Sequence, residues 1–179
     1  MMKMPGNRIS YNGKALKAHL LKIGAGTKEA GLALLEEAGK YLEEAYGGAN
    51  VHVDRNNNIL LLHDINTGPS SCTIDNEQPV IYMIPWIQEQ KLVVLFRMTD
   101  NSTSKDEALQ WFLEMRNRQI PDTLKTKVMY RQNRNGSWYL RGIEKPGKIL
   151  LLLREMEDLL KKDIQNVKMI IEGGFPPKI

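Results

Sequence analysis

The stretch Lys125–Lys148, KTKVMYRQNRNGSWYLRGIEKPGK, predicts a β-hairpin that carries basic and aromatic side chains. Its central Asn135-Gly136 suits a two-residue type I′ turn, because both turn positions need positive φ angles, which Gly adopts freely and Asn tolerates. Such a turn fixes the strand register and places Tyr130 opposite Arg141. We therefore expect one hairpin face to combine tyrosines with arginines, and the other to face the core.

The face that combines tyrosines with arginines has two interpretations. Tyrosine rings can stack on nucleobases while neighbouring guanidiniums contact phosphates. Alternatively, this is an ordinary solvated sheet face, on which tyrosine and arginine are common cross-strand partners. In the predicted register the tyrosine-bearing face holds Val128, Tyr130, Gln132, Arg134, Ser137, Tyr139, Arg141 and Ile143. The more apolar core face holds Met129, Arg131, Trp138 and Leu140.

Charge distribution favours the first interpretation. Nine basic and two acidic residues lie between Arg116 and Lys148, a net charge of +7, whereas the whole chain carries +4 and the rest therefore −3. Positive charge concentrated in one region attracts polyanions, so we expect nucleic acid, DNA or RNA, as the partner, with an anionic membrane surface less favoured. The predicted nucleic-acid-binding residues are Lys125, Lys127, Tyr130, Arg131, Arg134, Tyr139, Arg141 and Lys145.

Composition indicates an ordinary soluble domain. The chain has 179 residues, of which 42% are hydrophobic and 26% charged, and this predicts a single α+β domain over 14–172 between an irregular segment 1–13 and a Pro-rich tail 173–179. The lone Cys72 cannot form an internal disulfide, which suggests a reducing compartment. Because neither a signal peptide nor a membrane-spanning apolar run is visible, we expect an intracellular protein, cytoplasmic or nuclear.

Helices alternate with hairpins along the rest of the sequence. This order predicts an antiparallel sheet built from hairpins, with helices on one face and the other face partly free. The near-continuous apolar strands of 80–98 predict the centre of the sheet. The expected elements are two N-terminal helices, 14–23 and 28–46, hairpins at 51–64 around Asn56-Asn57 and at 80–98, a helix opened by a Ser104–Glu107 capping box, the basic hairpin, a helix after Pro146-Gly147 and a strand 167–172.

Two helices carry predicted core stripes at helical spacing. In the helix after Ser104 the stripe is Ala108, Trp111, Phe112 and Met115. In the last helix it is Ile149, Leu152, Leu153, Met156, Leu159 and Leu160.

Two further functional hypotheses stay open. One is a structural, self-assembling or adaptor protein, for example a viral matrix-like or coat-like component or one from a mobile element, for which nine Met and the Pro-rich tail suit an oligomer. The other is a metal-dependent nuclease using Asp75, Glu89 and Lys91, although this spacing normally lies within a strand. His52, Asp54 and His63 share a predicted strand face but lack a fourth ligand. We predict no catalytic residue, metal or cofactor.

Overall fold

The computed structural model describes residues 28–63, 80–99 and 106–173. The predicted helix 14–23, the segment 1–13, and the tail after Gly173 lie outside these residues. Short 3-10 turns occupy Gly48–Asn50, Ile87–Glu89 and Pro146–Lys148. The helices and strands are α1 (Lys28–Tyr46), β1 (Val51–Asp54), β2 (Ile59–His63), β3 (Val80–Trp86), β4 (Lys91–Arg97), α2 (Glu107–Gln119), α3 (Asp122–Lys125), β5 (Val128–Gln132), β6 (Trp138–Glu144) and α4 (Ile149–Ile171).

The six strands within the described ranges form one antiparallel sheet in the order β1-β2-β3-β4-β6-β5. The predicted α+β class, built from hairpins with helices, is confirmed. β3 and β4 occupy the centre, and residues on both of their faces are buried, as the apolar sequence predicted. Met83 opposite Val94 lies on one face, and Ile84 opposite Val93 on the other.

Helices pack on one face of the sheet, which we call the inner face. α1 contributes Leu35 and Leu42 to this core, and α4 lies against β6, where Gly142 allows a close approach to Leu152. The six core positions predicted for the last helix are all buried. The opposite, outer face carries a second apolar cluster, so its centre is buried instead of open. That cluster consists of Ile59, Leu61, Tyr82, Ile84 and Val93.

The predicted strand at 167–172 is wrong, because α4 continues to Ile171. Val167 and Ile170 are buried and extend the stripe from Leu160 through Ile164 at helical spacing. The β-branched residues of this segment suggested a strand, but burial on a continuous helical face outweighs that weak local preference.

The predicted Ser104–Glu107 capping box is also wrong, because α2 begins at Glu107; Ser104 itself lies outside the described residues. Asp106 caps α2 instead, since its Oδ1 accepts the backbone N–H of Leu109 at 3.0 Å. Phe112 is buried as predicted, together with Leu109 and Leu113, while Trp111, expected in the core, is 44% exposed.

Gly142→Ala should destabilise the fold, because a Cβ at this position would lie 2.7 Å from Met156 Sδ and 3.0 Å from Leu152 Cδ2. Overpacking of this kind costs about 1–3 kcal/mol of unfolding free energy, measurable by urea denaturation. Gly48→Ala is the matched control, since no atom lies within 4 Å of its added Cβ. Equal stability of both variants would contradict the close packing of α4 on β6.

Candidate polyanion-binding site

β5 and β6 are joined by a five-residue loop, Asn133–Ser137, so the predicted two-residue turn is wrong. The backbone N–H of Asn133 donates to Ser137 O at 2.9 Å, and Asn133 Oδ1 accepts the N–H groups of Asn135 and Ser137, both at 3.1 Å. Gly136 has the positive φ expected of it, 96°, but Asn135 does not. The Asn133 side chain therefore closes a wider loop than the Asn-Gly pair suggested.

This loop shifts the predicted register by one residue. Arg131 lies opposite Tyr139, and Met129 lies opposite Arg141. Because side chains alternate between the faces of a strand, the shift moves all of β5 to the other side relative to the prediction. Arg131 consequently joins Tyr139 and Arg141 on the outer face, while Tyr130 turns inward.

Tyr130 is a core residue, which contradicts its predicted role in base stacking. It is 2% exposed, and its hydroxyl donates to Asp163 Oδ2. Arg116 pairs with the same carboxylate, with 2.7 Å between Arg116 Nε and Asp163 Oδ1. Burial and the neighbouring Asp163 raise the pKa of Tyr130 well above its ordinary value. The three side chains form an inner-face polar cluster that links β5 to α2 and α4.

Asn117, which the sequence did not single out, holds the backbone of the same residue. Its Oδ1 accepts the N–H of Tyr130 at 2.7 Å, and its Nδ2 donates to Tyr130 O at 2.9 Å. β5 lies at one edge of the sheet, and unpaired edge groups invite pairing with another chain. Asn117 therefore blocks the edge at Tyr130.

The predicted lysines lie at the opposite end of the hairpin from its loop, and the structure does not bring them to Tyr139. Lys127 Nζ is 3.0 Å from Glu144 Oε2, a hydrogen bond that raises the pKa of Lys127. Lys125 pairs at 3.5 Å with Asp122, an exposed contact. Glu144 lies five residues along β6 from Tyr139, roughly 17 Å at the usual rise per strand residue. The lysines therefore do not belong to the same site as Tyr139.

Three arginines surround Tyr139 on the outer face. Tyr139 pairs directly with Arg97 of β4 on one side and with Arg131 of β5 on the other, and Arg141 follows two residues later on β6. We call Arg97, Arg131 and Arg141 the arginine cluster. Sequence analysis missed Arg97, because only the sheet order places β4 beside β6.

The guanidiniums of Arg131 and Arg141 both contact the uncharged side chain of Met129. Arg131 Nη1 lies 3.5 Å and Arg141 Nη2 lies 3.8 Å from the sulfur of Met129. Burial, and then the positive charge of Arg131, lower the pKa of Arg141, although a guanidinium stays protonated at any physiological pH. Two like charges held this close favour the binding of an anion between them.

Arg131, Arg134 and Arg141 have no carboxylate partner among residues 28–63, 80–99 and 106–173. Within those ranges the buried Nε of Arg141 also has no hydrogen-bond partner. Arg134 is exposed in the hairpin loop. Of the eight predicted site residues, four thus lie at one end of the hairpin: Arg131, Arg134, Tyr139 and Arg141.

The side chain of Tyr139 lies half-buried among these charges. Burial raises the pKa of its hydroxyl, while Arg97 and a side-chain hydrogen bond with Asn133 act in the opposite direction. Asn133 also organises the hairpin loop that precedes β6. Part of Tyr139 remains accessible on the outer face between β4 and β5.

Metal-binding geometry does not assemble in the part of the chain that the structure describes. No three His, Cys, Asp or Glu side chains there lie close enough to hold a metal ion. Asp54 instead accepts the backbone N–H groups of Asn56 and Asn57 in the β1–β2 turn. Glu89 lies in a 3-10 turn, and Asp75 is outside the described residues. None of the helices described meets the length and apolarity needed to cross a bilayer.

No protein-family model, curated protein or solved structure matches this chain. The functional assignment therefore rests on the geometry and charge of the arginine cluster.

Glu144 provides a pH test of the lysine pairing. Burial alone would raise its pKa, but the backbone N–H of Lys145 and the ammonium of Lys127 lower it below its ordinary 4.5. A lowered folded-state pKa stabilises the fold above pH 4.5, and this stability is lost as the pH falls through the folded-state value. Glu144→Gln should therefore lower the unfolding free energy at pH 7, with a difference from the parent protein that shrinks on acidification.

Urea denaturation between pH 7 and about pH 3 measures this difference. Glu43→Gln, on the exposed side of α1, should leave the unfolding free energy unchanged at neutral pH. If the difference in unfolding free energy between Glu144→Gln and the parent protein stays constant across this range, Glu144 is not ion-paired. Lys127 would then be an unpaired cation.

Proposed function

We propose that this protein binds nucleic acid through the arginine cluster, without catalysing a reaction. The observation that carries the proposal is the convergence of Arg131 and Arg141 on Met129 with no carboxylate partner among the described residues. The proposed contact residues are Arg97, Arg131, Arg134 and Arg141 for phosphates and Tyr139 for a base. Tyr130 and Lys127, expected from the sequence to participate, have no part in it.

The spacing of the arginine cluster suits a polyanion better than a single anion. Neighbouring strands lie about 4.8 Å apart, so arginines on β4 and β5 flank Tyr139 across about 10 Å. Several phosphates of one chain can therefore be contacted together. In the basic segment Arg116–Lys148, Arg116 pairs with Asp163 and Lys127 with Glu144, whereas Arg131, Arg134 and Arg141 pair with no carboxylate among the described residues.

Nucleic acid is favoured over an anionic membrane surface because of Tyr139. A membrane surface recognises basic residues through their charge. A half-buried phenol ring between arginine-bearing strands adds an aromatic surface on which a base can stack. Lipid headgroups carry no aromatic base that could stack on this ring.

Charge reversal within the cluster should abolish binding without unfolding the protein. We expect Arg131→Glu to weaken affinity for a labelled oligonucleotide at least about ten-fold, and Arg131→Glu with Arg141→Glu to reduce it further. Each lost phosphate contact should also flatten the slope of log affinity against log salt by roughly 0.7–0.9. Fluorescence anisotropy over a salt series, with single-stranded DNA, duplex DNA and RNA probes, measures both quantities.

Arg154→Glu is the matched control, because Arg154 is an exposed arginine of α4 in the helical layer. It changes the net charge by the same amount as Arg131→Glu and should leave binding nearly unchanged. Equal weakening by both variants would mean that total charge, not the cluster, attracts the probe. An affinity of the parent protein that does not depend on salt would also contradict the proposal.

The same protein preparation tests the alternatives. Binding to phosphatidylserine vesicles but not to any oligonucleotide would replace the proposal with a membrane-surface function. Cleavage of the probes with magnesium or manganese would support the nuclease hypothesis and contradict a purely binding function. Concentration-dependent assembly in sedimentation, with no oligonucleotide binding, would support the structural or adaptor hypothesis.

A further inference from the structure

We infer that the nucleic acid bound at the arginine cluster is single-stranded, and that Tyr139 is the platform on which one of its bases stacks. This inference rests on the proposed function and names the ligand class of the same site. It depends on two features of the sheet: how far the basic hairpin projects, and what lies directly beside Tyr139.

The basic hairpin does not project from the sheet as a free ribbon. Trp138, the first residue of β6, is bound to the neighbouring chain through its O, which accepts the N–H of Met98 at 2.8 Å, and through its N–H, which donates to Thr99 Oγ1 at 3.0 Å. β6 is thus flanked by β5 on one side and by β4 with its continuation on the other. Among the described residues of the hairpin, the loop Asn133–Ser137 extends beyond this edge.

This arrangement of strands does not suit insertion of the outer face into the major groove of duplex DNA. The major groove is about 12 Å wide and admits one helix or a two-stranded ribbon. Backbones of β4, β6 and β5 already span about 10 Å before any side chain is added, so a face of three strands is too wide to enter. A duplex could therefore meet the outer face only through its phosphates, and its stacked bases would stay out of reach of Tyr139.

A single strand has no such restriction, because its bases are free to turn away from the backbone. Tyr139 lies in one cross-strand row between Arg97 and Arg131. A base stacked on the accessible part of the phenol ring would place the phosphates on either side of it near these guanidiniums. The backbone at this position is held on both sides, because Tyr139 pairs with Arg97 of β4 and with Arg131 of β5.

Tyr139 is therefore predicted to make the protein bind single-stranded nucleic acid more tightly than duplex. Stacking on an aromatic side chain strengthens binding of any single-stranded nucleic acid and depends little on the base. We expect Tyr139→Leu to weaken binding of single-stranded probes of about 12 nucleotides by about ten-fold or more. Duplex probes of the same sequence should bind less tightly to the parent protein and change less than about two-fold on substitution.

Fluorescence anisotropy on the full chain measures these affinities, and separate DNA and RNA probes show which backbone is preferred. Tyr139→Phe keeps the ring and removes only the hydroxyl, so it should retain most of the single-strand affinity. If Tyr139→Leu fails to fold, the preference of the parent protein for single strands and the effect of Tyr139→Phe still test the inference.

This inference would be overturned if duplex probes bound as tightly as single-stranded probes, or if Tyr139→Leu lowered the affinity for both equally. The proposed function would then depend on phosphate contacts alone. Failure of the parent protein to bind any oligonucleotide would contradict both. Loss of single-strand affinity in Tyr139→Phe as large as in Tyr139→Leu would mean that the hydroxyl, not the ring, is the important group.

Discussion

The register between β5 and β6 determines which side chains this protein presents to solvent. Because successive strand residues point to opposite faces, one residue of slip exchanges the two faces of β5. Asn133 sets that register, since its side chain accepts two loop N–H groups and closes a five-residue connection. The placement of Tyr130 in the core and of Arg131 beside Tyr139 follows from this connection.

Contacts on the inner face are consistent with the same register. Tyr130 meets a buried carboxylate, Asp163, that is also paired with Arg116, so removal of the phenol would leave a buried acceptor short of one donor. Asn117 satisfies both backbone groups of Tyr130 at the sheet edge. These contacts tie β5 to the helical layer, and the outer face of the strand is thereby fixed as well.

Periodicity predicted most of the fold, and side-chain hydrogen bonds account for the main errors. The β1–β2 register around Asn56-Asn57 agrees with the prediction, and Val51 and Val53 alternate with polar residues along β1. In the basic hairpin, Val128–Gln132 mixes aromatic, basic and apolar residues, so alternation could not choose between registers and the Asn135-Gly136 pair was given too much weight. Neither the capping role of Asp106 nor the pairing of Arg116 with Asp163 is visible from local spacing. The candidate site was therefore located in the right hairpin, but with Tyr130 on the wrong face and without Arg97.

A cross-strand disulfide tests this register most directly. In a Cys72→Ser background, Arg131→Cys with Tyr139→Cys should oxidise readily, because opposed residues have Cα atoms about 4.5–5.5 Å apart, within the range a disulfide spans. Gln132→Cys with Tyr139→Cys should stay reduced, since those side chains point to opposite faces. Disulfide formation in the second pair and not in the first would restore the two-residue turn, place Tyr130 on the solvent face and contradict the account.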